Sequence, residues 1–228
     1  MATLIRTTRL STFTSPLPEA ASLSFNNPSK THATYPVGST FTTSRHWHND
    51  HAEHFKVLSG AILVTVNKNS FVVTGAPPAA TIPCAARIDA VGLSRAEGSP
   101  KLAKGQSKEL EKLRAPEDEA EEWRTPADGE KEVFFRNMLS AVSEPRTGIV
   151  GEILRPIHML IIYQGLDTRM VILDMGLRVV MGGEGWLRNN MVGSFGIAGL
   201  IGGAFGLKPV SEAYTPGRLI SEWGKNRK

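Results

Sequence analysis

The stretch HWHNDHAEHFKVLSG, from His46 to Gly60, decides the fold prediction because it joins a histidine pair to a strand-like run. Four of the six histidines in the chain lie within its first nine residues. His46 and His48 are two residues apart, so in an extended strand both imidazoles project from the same face. Imidazole pairs that share a face are typical of metal sites.

The second half of this stretch, EHFKVLSG, alternates apolar and polar residues and predicts a half-buried strand. The alternation places Glu53 on the apolar face with Phe55, and His54 on the opposite face. A carboxylate that faces an apolar core is costly unless it is paired or bound to a cation. We therefore predict that His46, His48 and Glu53 are three ligands to one divalent metal ion.

Further short runs rich in β-branched and aromatic residues, separated by turn residues, extend from about Ser22 to Thr81. Strands this short and this closely spaced leave no room for the long crossovers that parallel strands need. The sequence therefore predicts a mainly β, antiparallel sandwich or barrel with its core in residues 22–90. Residues 1–21 are expected to form a flexible tail.

Composition sets limits on domain number, partners and compartment. With 228 residues and 41% hydrophobic content, we expect a single globular domain. The formal net charge is only +4 and no basic cluster is interleaved with aromatic residues, so a nucleic-acid partner is not expected. Cys84 is the single cysteine, which excludes an internal disulfide and fits the cytoplasm. Arg6 and Arg9, with no acid nearby, leave an organelle transit peptide as an alternative.

The composition changes sharply after the predicted strands. From Ser94 to Glu132, 19 of the 39 residues are charged, which is typical of helical or disordered segments rather than of strands. We predict a poorly ordered charged insertion over residues 91–124.

A helical region packed on the barrel is predicted for residues 125–228. Its first helix follows a capping pattern, with Thr125 as N-cap, Pro126 at the first position and Asp128 three residues after the cap. Residues 191–207 are seventeen uncharged residues with a glycine at every third position from Gly193. They are shorter than the ~20 residues of a membrane span, so we predict a closely packed helix and not a membrane anchor.

The ligand stretch resembles the first motif of the cupin superfamily: Gly38 upstream, His46-x-His48, four residues, Glu53, six residues and Gly60. Cupins are small antiparallel jelly-roll barrels. The resemblance implies such a barrel, with a divalent metal bound inside it by the two histidines and the glutamate.

More narrowly, the helix PADGEKEVFFRNML and the ending FGLKPVSEAYTP are similar to fungal single-domain cupin oxidoreductases of polyketide biosynthesis, including salicylaldehyde-type pathways. This similarity implies oxidation of a small aromatic or polyketide intermediate in secondary metabolism, with Fe(II), or alternatively Mn or Zn, as the metal. Two alternatives stay open: a non-redox isomerase, dehydratase or cyclase, and a non-catalytic ligand-binding cupin. Many cupins pair their barrels, so a homodimer is expected. The sequence assigns no catalytic residue.

The second cupin motif departs from the family pattern. In TIPCAARIDA, Ala85 stands where glycine is usual and Ile88 stands where the fourth ligand, a histidine, belongs. In one explanation the site has three protein ligands, like the two-histidine, one-carboxylate sites that leave positions of iron(II) open for oxygen and substrate. In the other, residues 86–124 do not complete the barrel, because of divergence or an exon-boundary error.

Three other histidines are not predicted as ligands. His51 is expected to be a solvated loop residue, with a substitute fourth ligand as the alternative. His54 is expected to be exposed, and His158 to be a core histidine with a hydrogen-bond partner.

Overall fold

The computed structural model describes residues 10–15, 19–27, 29–39, 41–43, 46–66, 69–75, 80–82, 88–92, 117–144, 148–170 and 196–225, and for 80–82 and 88–92 it describes the backbone only. The chain divides into two compact units, Leu10–Glu132 and Val133–Lys228. The expectation of a single globular domain stays a prediction. The first unit extends beyond the predicted core of residues 22–90.

Short strands make up the described part of the first unit, as the sequence predicts. Their bounds are β1 Thr12–Thr14, β2 Ser22–Asn27, β3 Lys30–Pro36, β4 His46–Trp47, β5 Ala52–Ser59, β6 Ala61–Val66, β7 Asn69–Thr74, β8 Ala80–Ile82, β9 Ile88–Gly92 and β10 Glu117–Thr125. One sheet has the order β1-β2-β3-β10-β5-β8, and the other contains β4-β9-β6-β7. The registered strand pairs are antiparallel.

The predicted fold class, a mainly β, jelly-roll-like antiparallel arrangement with helices toward the C terminus, is confirmed. The alternation predicted for β5 is also present. Glu53, Phe55 and Val57 are buried, whereas Lys56 and Leu58 are exposed. The two-residue period thus identified the inward face correctly.

Two strands lie where the sequence predicts none. β1 is within the predicted flexible tail and pairs with β2. β10 is within the predicted charged insertion, and it lies between β3 and β5 in the first sheet. The prediction of a strand-free charged segment over residues 91–124 is therefore wrong for residues 91–92, which end β9, and for residues 117–124. Residues 93–116 lie outside the described residues.

The composition of β10 conceals its strand character because charged residues occupy both faces. Asp118, Glu122 and Arg124 are buried, and Glu121 is only partly so. Strand prediction relies on apolar residues at every second position, and here Ala120 is the only apolar residue facing inward. The buried charges are tolerated because they have polar partners, which the sequence does not show.

The outer face of β10 is stabilised by contacts with its two neighbouring strands. Lys30 on β3 donates to Glu121 Oε2 at 3.1 Å and lies 4.8 Å from the ring centre of Trp123. On the other side, the ring of His54 stacks on Trp123 at 5.2 Å, and His54 Nε2 lies 2.8 Å from Thr125 Oγ1. His54 is therefore on the outer face, as predicted from the strand period.

Helices predominate in the described part of the second unit. Helix α1 is Glu130–Ser143, and its first three residues belong to the first unit. The other helices are α2 Gly148–Gly165 and α3 Gly217–Lys225, with helical residues also at 196–204 and a short strand, β11, at Arg169–Met170. Helix α1 was predicted, but Thr125 ends β10 and does not cap the helix. The cap is Asp128, whose Oδ1 accepts a hydrogen bond from the Glu130 backbone N–H at 3.0 Å.

The glycine-rich helical residues 196–204 agree only in part with the prediction of close packing. A side chain at Gly202 would collide with the side chain of Ile161 of α2, so Ile161 packs directly against the backbone at Gly202. Gly196 and Gly199 face open space. Four apolar side chains of this part of the chain are exposed: Ile197, Leu200, Ile201 and Phe205.

Among the described helices, none combines the length and apolar character needed to cross a bilayer. Whether the helices pack on the barrel, as the sequence predicts, stays a prediction.

Gly60, the turn glycine between β5 and β6, has a φ of +75°, and a side chain there would collide with Asp118 of β10. Asp118 Oδ1 accepts the Ala61 backbone N–H at 3.0 Å. We expect Gly60→Ala to lower the free energy of unfolding by about 2–4 kcal/mol, because it adds loss of this buried hydrogen bond to backbone strain.

The matched control is Gly38→Ala. Gly38 has a similar φ of +83° with nothing near its missing side chain, so only the strain of about 1 kcal/mol applies. Urea unfolding measures both variants. Equal losses would show that the contact between Gly60 and Asp118 contributes nothing.

Candidate metal centre

The three predicted ligands meet in the interior of the first unit. His46 belongs to β4, His48 follows it directly, and Glu53 lies on the inward face of β5. All three side chains are buried, with exposed fractions of 4%, 3% and 1%. His46 Nε2 lies 3.4 Å and His48 Nε2 3.3 Å from Glu53 Oε2. The two imidazole rings meet edge to face at 5.0 Å.

These spacings fit a common metal ion. With metal–ligand bonds of about 2.1 Å, neighbouring ligand atoms are about 3.0 Å apart in octahedral geometry and about 3.4 Å apart in tetrahedral geometry. Glu53 Oε2 is buried and accepts no hydrogen bond within the described residues. A buried carboxylate oxygen in that state is costly, and a metal ion between it and the two imidazoles would remove the cost. The donor set therefore fits a divalent metal.

Protonation states also favour metal binding. Burial, together with the charge of Arg124, lowers the pKa of His48 to about 4, so its imidazole is neutral at physiological pH. Burial alone would raise the pKa of Glu53, but the ammonium group of Lys131 and the imidazoles hold that pKa well below its usual range. Metal ligation needs a neutral imidazole and an ionised carboxylate, and His48 and Glu53 meet these requirements.

The other oxygen of Glu53 has cationic neighbours that the sequence did not predict. Lys131 Nζ donates to Glu53 Oε1 at 2.5 Å and also to Glu122 Oε1. Arg124 Nε lies 3.9 Å from Glu53 Oε1, and Arg124 is directly opposite Glu53 in the pairing of β10 with β5. No short-range pattern links Lys131 to a residue 78 positions earlier, so only a correct strand assignment for β10 could have indicated this neighbourhood.

A second group of metal-type side chains surrounds the cap of α1. His51 Nε2 lies 3.1 Å from Asp128 Oδ2, and Glu130 completes a cluster whose ligand atoms lie within 4.8 Å of one another. His51 is only 4% exposed, so the expectation of a solvated loop histidine is wrong. The burial of His51 is tolerated because Asp128 provides a hydrogen-bond partner for the imidazole while it also caps the helix.

The core role predicted for His158 is confirmed, because the residue is buried and its Nε2 donates to the Lys208 carbonyl oxygen at 3.2 Å.

The structure describes part of the backbone around the second motif, TIPCAARIDA, which differs from the cupin pattern. Ile88, at the position of the missing fourth ligand, begins β9 and is the register partner of His46 in β4. Residues 83–87 lie outside the described residues. Within residues 86–124, β9 and β10 pair in the two sheets, but both described sheets are open, so the explanation that this part of the chain does not complete the barrel stays a prediction. A site with three protein ligands stays open.

Comparisons with known proteins find only remote similarities to solved structures. No family model and no curated protein matches the chain. Among solved structures it is similar to the capsular polysaccharide assembling protein CapF from Staphylococcus aureus, with 13% identity, a TM-score of 0.34, and coverage of 50% of this chain and 29% of that chain. It is also similar to a predicted oxalate decarboxylase from Thermotoga maritima, with 8% identity, a TM-score of 0.34, and coverage of 54% and 97%.

A third similar structure is the cupin domain of Schizosaccharomyces pombe Cnp3, with 12% identity, a TM-score of 0.29, and coverage of 50% of this chain and 57% of that chain. The match to CapF covers less than a third of the length of that protein. At these identities and TM-scores the likenesses say nothing about activity, so function has to be inferred from the side chains of the site.

The depressed pKa of His48 predicts how stability depends on pH in protein freed of metal by a chelator. Below pH 6.5 the unfolded chain binds a proton at this imidazole that the folded protein does not bind until about pH 4. The free energy of unfolding should therefore fall by about 3 kcal/mol as the pH drops through this range. Urea titrations at several pH values measure it.

His48→Gln should remove this pH-dependent loss, and His54→Gln, on the outer face of β5, should keep it. If both variants kept the same pH dependence, the assignment to His48 would be wrong.

Proposed function

We propose that the first unit binds one divalent metal ion through His46, His48 and Glu53, and acts there on a small molecule. The observation that carries this proposal is the convergence of two buried imidazole nitrogens on one buried carboxylate oxygen, at 3.4 and 3.3 Å. Two imidazoles and one carboxylate leave coordination positions open for a substrate.

The leading proposal is an oxidation with Fe(II) as the metal. Two histidines and one carboxylate are the ligand set of non-haem iron oxygenases, and iron bound in this way supplies the activation of oxygen. The protein's own contribution is to keep His48 neutral and Glu53 ionised, and to shield the site from water by burying all three ligands. A small aromatic or polyketide substrate is proposed from the sequence resemblance.

A second candidate is a non-redox reaction in which the metal acts as a Lewis acid, as in an isomerase, dehydratase or cyclase. Two histidines and one glutamate are also the ligand set of catalytic zinc sites, and Zn²⁺ has no redox chemistry. This ligand set is the observation that favours the second candidate.

The wider setting remains a proposal as well. A role in fungal secondary metabolism is proposed from the sequence resemblance. A homodimer is proposed because many cupins pair their barrels, and a cytoplasmic location because the chain has a single cysteine.

Metal analysis of the purified protein, followed by oxygen-uptake measurements with small aromatic compounds, separates the candidates. Iron with substrate-dependent oxygen consumption supports the oxidation. Zinc or manganese without oxygen consumption supports the Lewis-acid reaction. A protein that binds no divalent metal in titrations would contradict both and leave a non-catalytic binding role.

The ligand assignment is tested by Glu53→Gln, which preserves side-chain volume but removes the anionic ligand. We expect metal content, measured by elemental analysis, to fall at least tenfold. Circular dichroism should show the β fold retained, with some loss of stability because Lys131 and Arg124 lose a buried anionic partner.

The matched control is His54→Gln, one residue along the same strand but on its outer face. It should retain the metal content of the wild type. An equal loss in both variants would contradict the assignment of Glu53 as a ligand.

A further inference from the structure

The two oxygens of Glu53 face different partners. Oε2 faces the imidazoles of His46 and His48 at 3.4 and 3.3 Å, whereas Oε1 accepts a hydrogen bond from Lys131 Nζ and lies 3.9 Å from Arg124 Nε. One oxygen of the carboxylate therefore faces candidate metal ligands, and the other faces cationic side chains. An oxygen that accepts a hydrogen bond from an ammonium group is a weaker metal ligand than one that does not, so Oε2 is the better placed of the two oxygens to bind a metal.

Lys131 is itself held in place from the opposite side. It is the second residue of α1, its side chain is 4% exposed, and its Nζ also donates to Glu122 Oε1. Glu122 is 4% exposed and is fixed by β10, where it pairs with Phe55 of β5. The ammonium group therefore bridges two buried carboxylates carried by neighbouring strands, and its position is set by the sheet and by the first turn of the helix.

We propose that Lys131 is a positioning residue that limits Glu53 to binding the metal through one oxygen. This inference rests on the proposed function, because it concerns the same ligand. A glutamate that binds through both oxygens occupies two coordination positions, and one that binds through a single oxygen occupies one. Lys131 thereby keeps one position available for the substrate, although it never touches the metal.

A different role is available to the same lysine. The ammonium group would act only as a counter-charge for two buried carboxylates, and the coordination of the metal would not depend on it. The two roles differ in what happens to Glu53 Oε1 when the ammonium group is removed. In the positioning role Oε1 turns to the metal, and in the counter-charge role the coordination stays unchanged.

The experiment compares the infrared carboxylate bands of wild type and Lys131→Met, both labelled with ¹³C-glutamate and titrated with Zn²⁺. One-oxygen binding gives a wide separation between the asymmetric and symmetric stretches, and two-oxygen binding gives a narrow one. We expect a wide separation in the wild type and a narrow one in the variant. An unchanged separation in the variant, or a narrow one in the wild type, would overturn the proposal.

Two controls isolate the contact. Lys30→Met removes another lysine paired with a glutamate of β10, but on the outer face, and should keep the wide separation. Glu122→Gln leaves Lys131 bound to Glu53 and should also keep it. If Lys131→Met does not fold, Lys131→Gln replaces it with the same expectation, since a neutral amide binds a carboxylate more weakly than an ammonium group does.

Calorimetric titration of the wild type with Zn²⁺ distinguishes failure of the proposed metal binding from failure of the proposed role of Lys131. If the wild type does not bind the metal, the proposed function fails before the role of Lys131 is reached. If it binds and both proteins give the same carboxylate bands, only the positioning role fails.

Discussion

The burial of Glu53 is the constraint on which the structure of the first unit depends. An ionised carboxylate that is 1% exposed is not stable in a protein interior without cationic or hydrogen-bonding partners. Those partners come from three separate parts of the chain: His46 and His48 at β4, Arg124 on β10, and Lys131 at the start of α1. Each part must reach its place for the charge to be compensated, so one buried residue ties together elements far apart in sequence.

This dependence accounts for the unusual character of β10. A strand between two others in a sheet ordinarily presents apolar residues to the interior, yet β10 presents Asp118, Glu122 and Arg124. All three have specific partners, since Asp118 accepts a backbone N–H at the β5–β6 turn, Arg124 lies beside Glu53, and Glu122 binds Lys131. The charges of this strand are therefore part of the interior around the candidate site and not a solvated surface.

The sequence predicted those features of the fold and the candidate site that depend on neighbouring residues, and it missed those that depend on contacts between residues far apart in the chain. The two-residue period of β5 was enough to place Glu53 inward and His54 outward, because side-chain direction in a strand is a local property. The local capping pattern predicted helix α1 but named the wrong cap, because Thr125 belongs to β10 and the Glu130 backbone N–H donates to Asp128 instead. The positions of β10, Lys131 and His51 depend on contacts across tens of residues, and charged composition concealed the strand that brings the first two to Glu53. A strand whose inward residues are ionic has no signature in hydrophobic periodicity.

We propose that two imidazoles and one carboxylate of this chain hold a divalent metal. X-ray absorption spectroscopy of the protein loaded with Fe(II) under anaerobic conditions tests it most directly, because imidazole rings bound to a metal give a distinctive outer-shell scattering pattern. We expect two imidazoles in the iron coordination shell, both lost when His46 and His48 are replaced by glutamine. A spectrum with only oxygen neighbours and no imidazole scattering would contradict it.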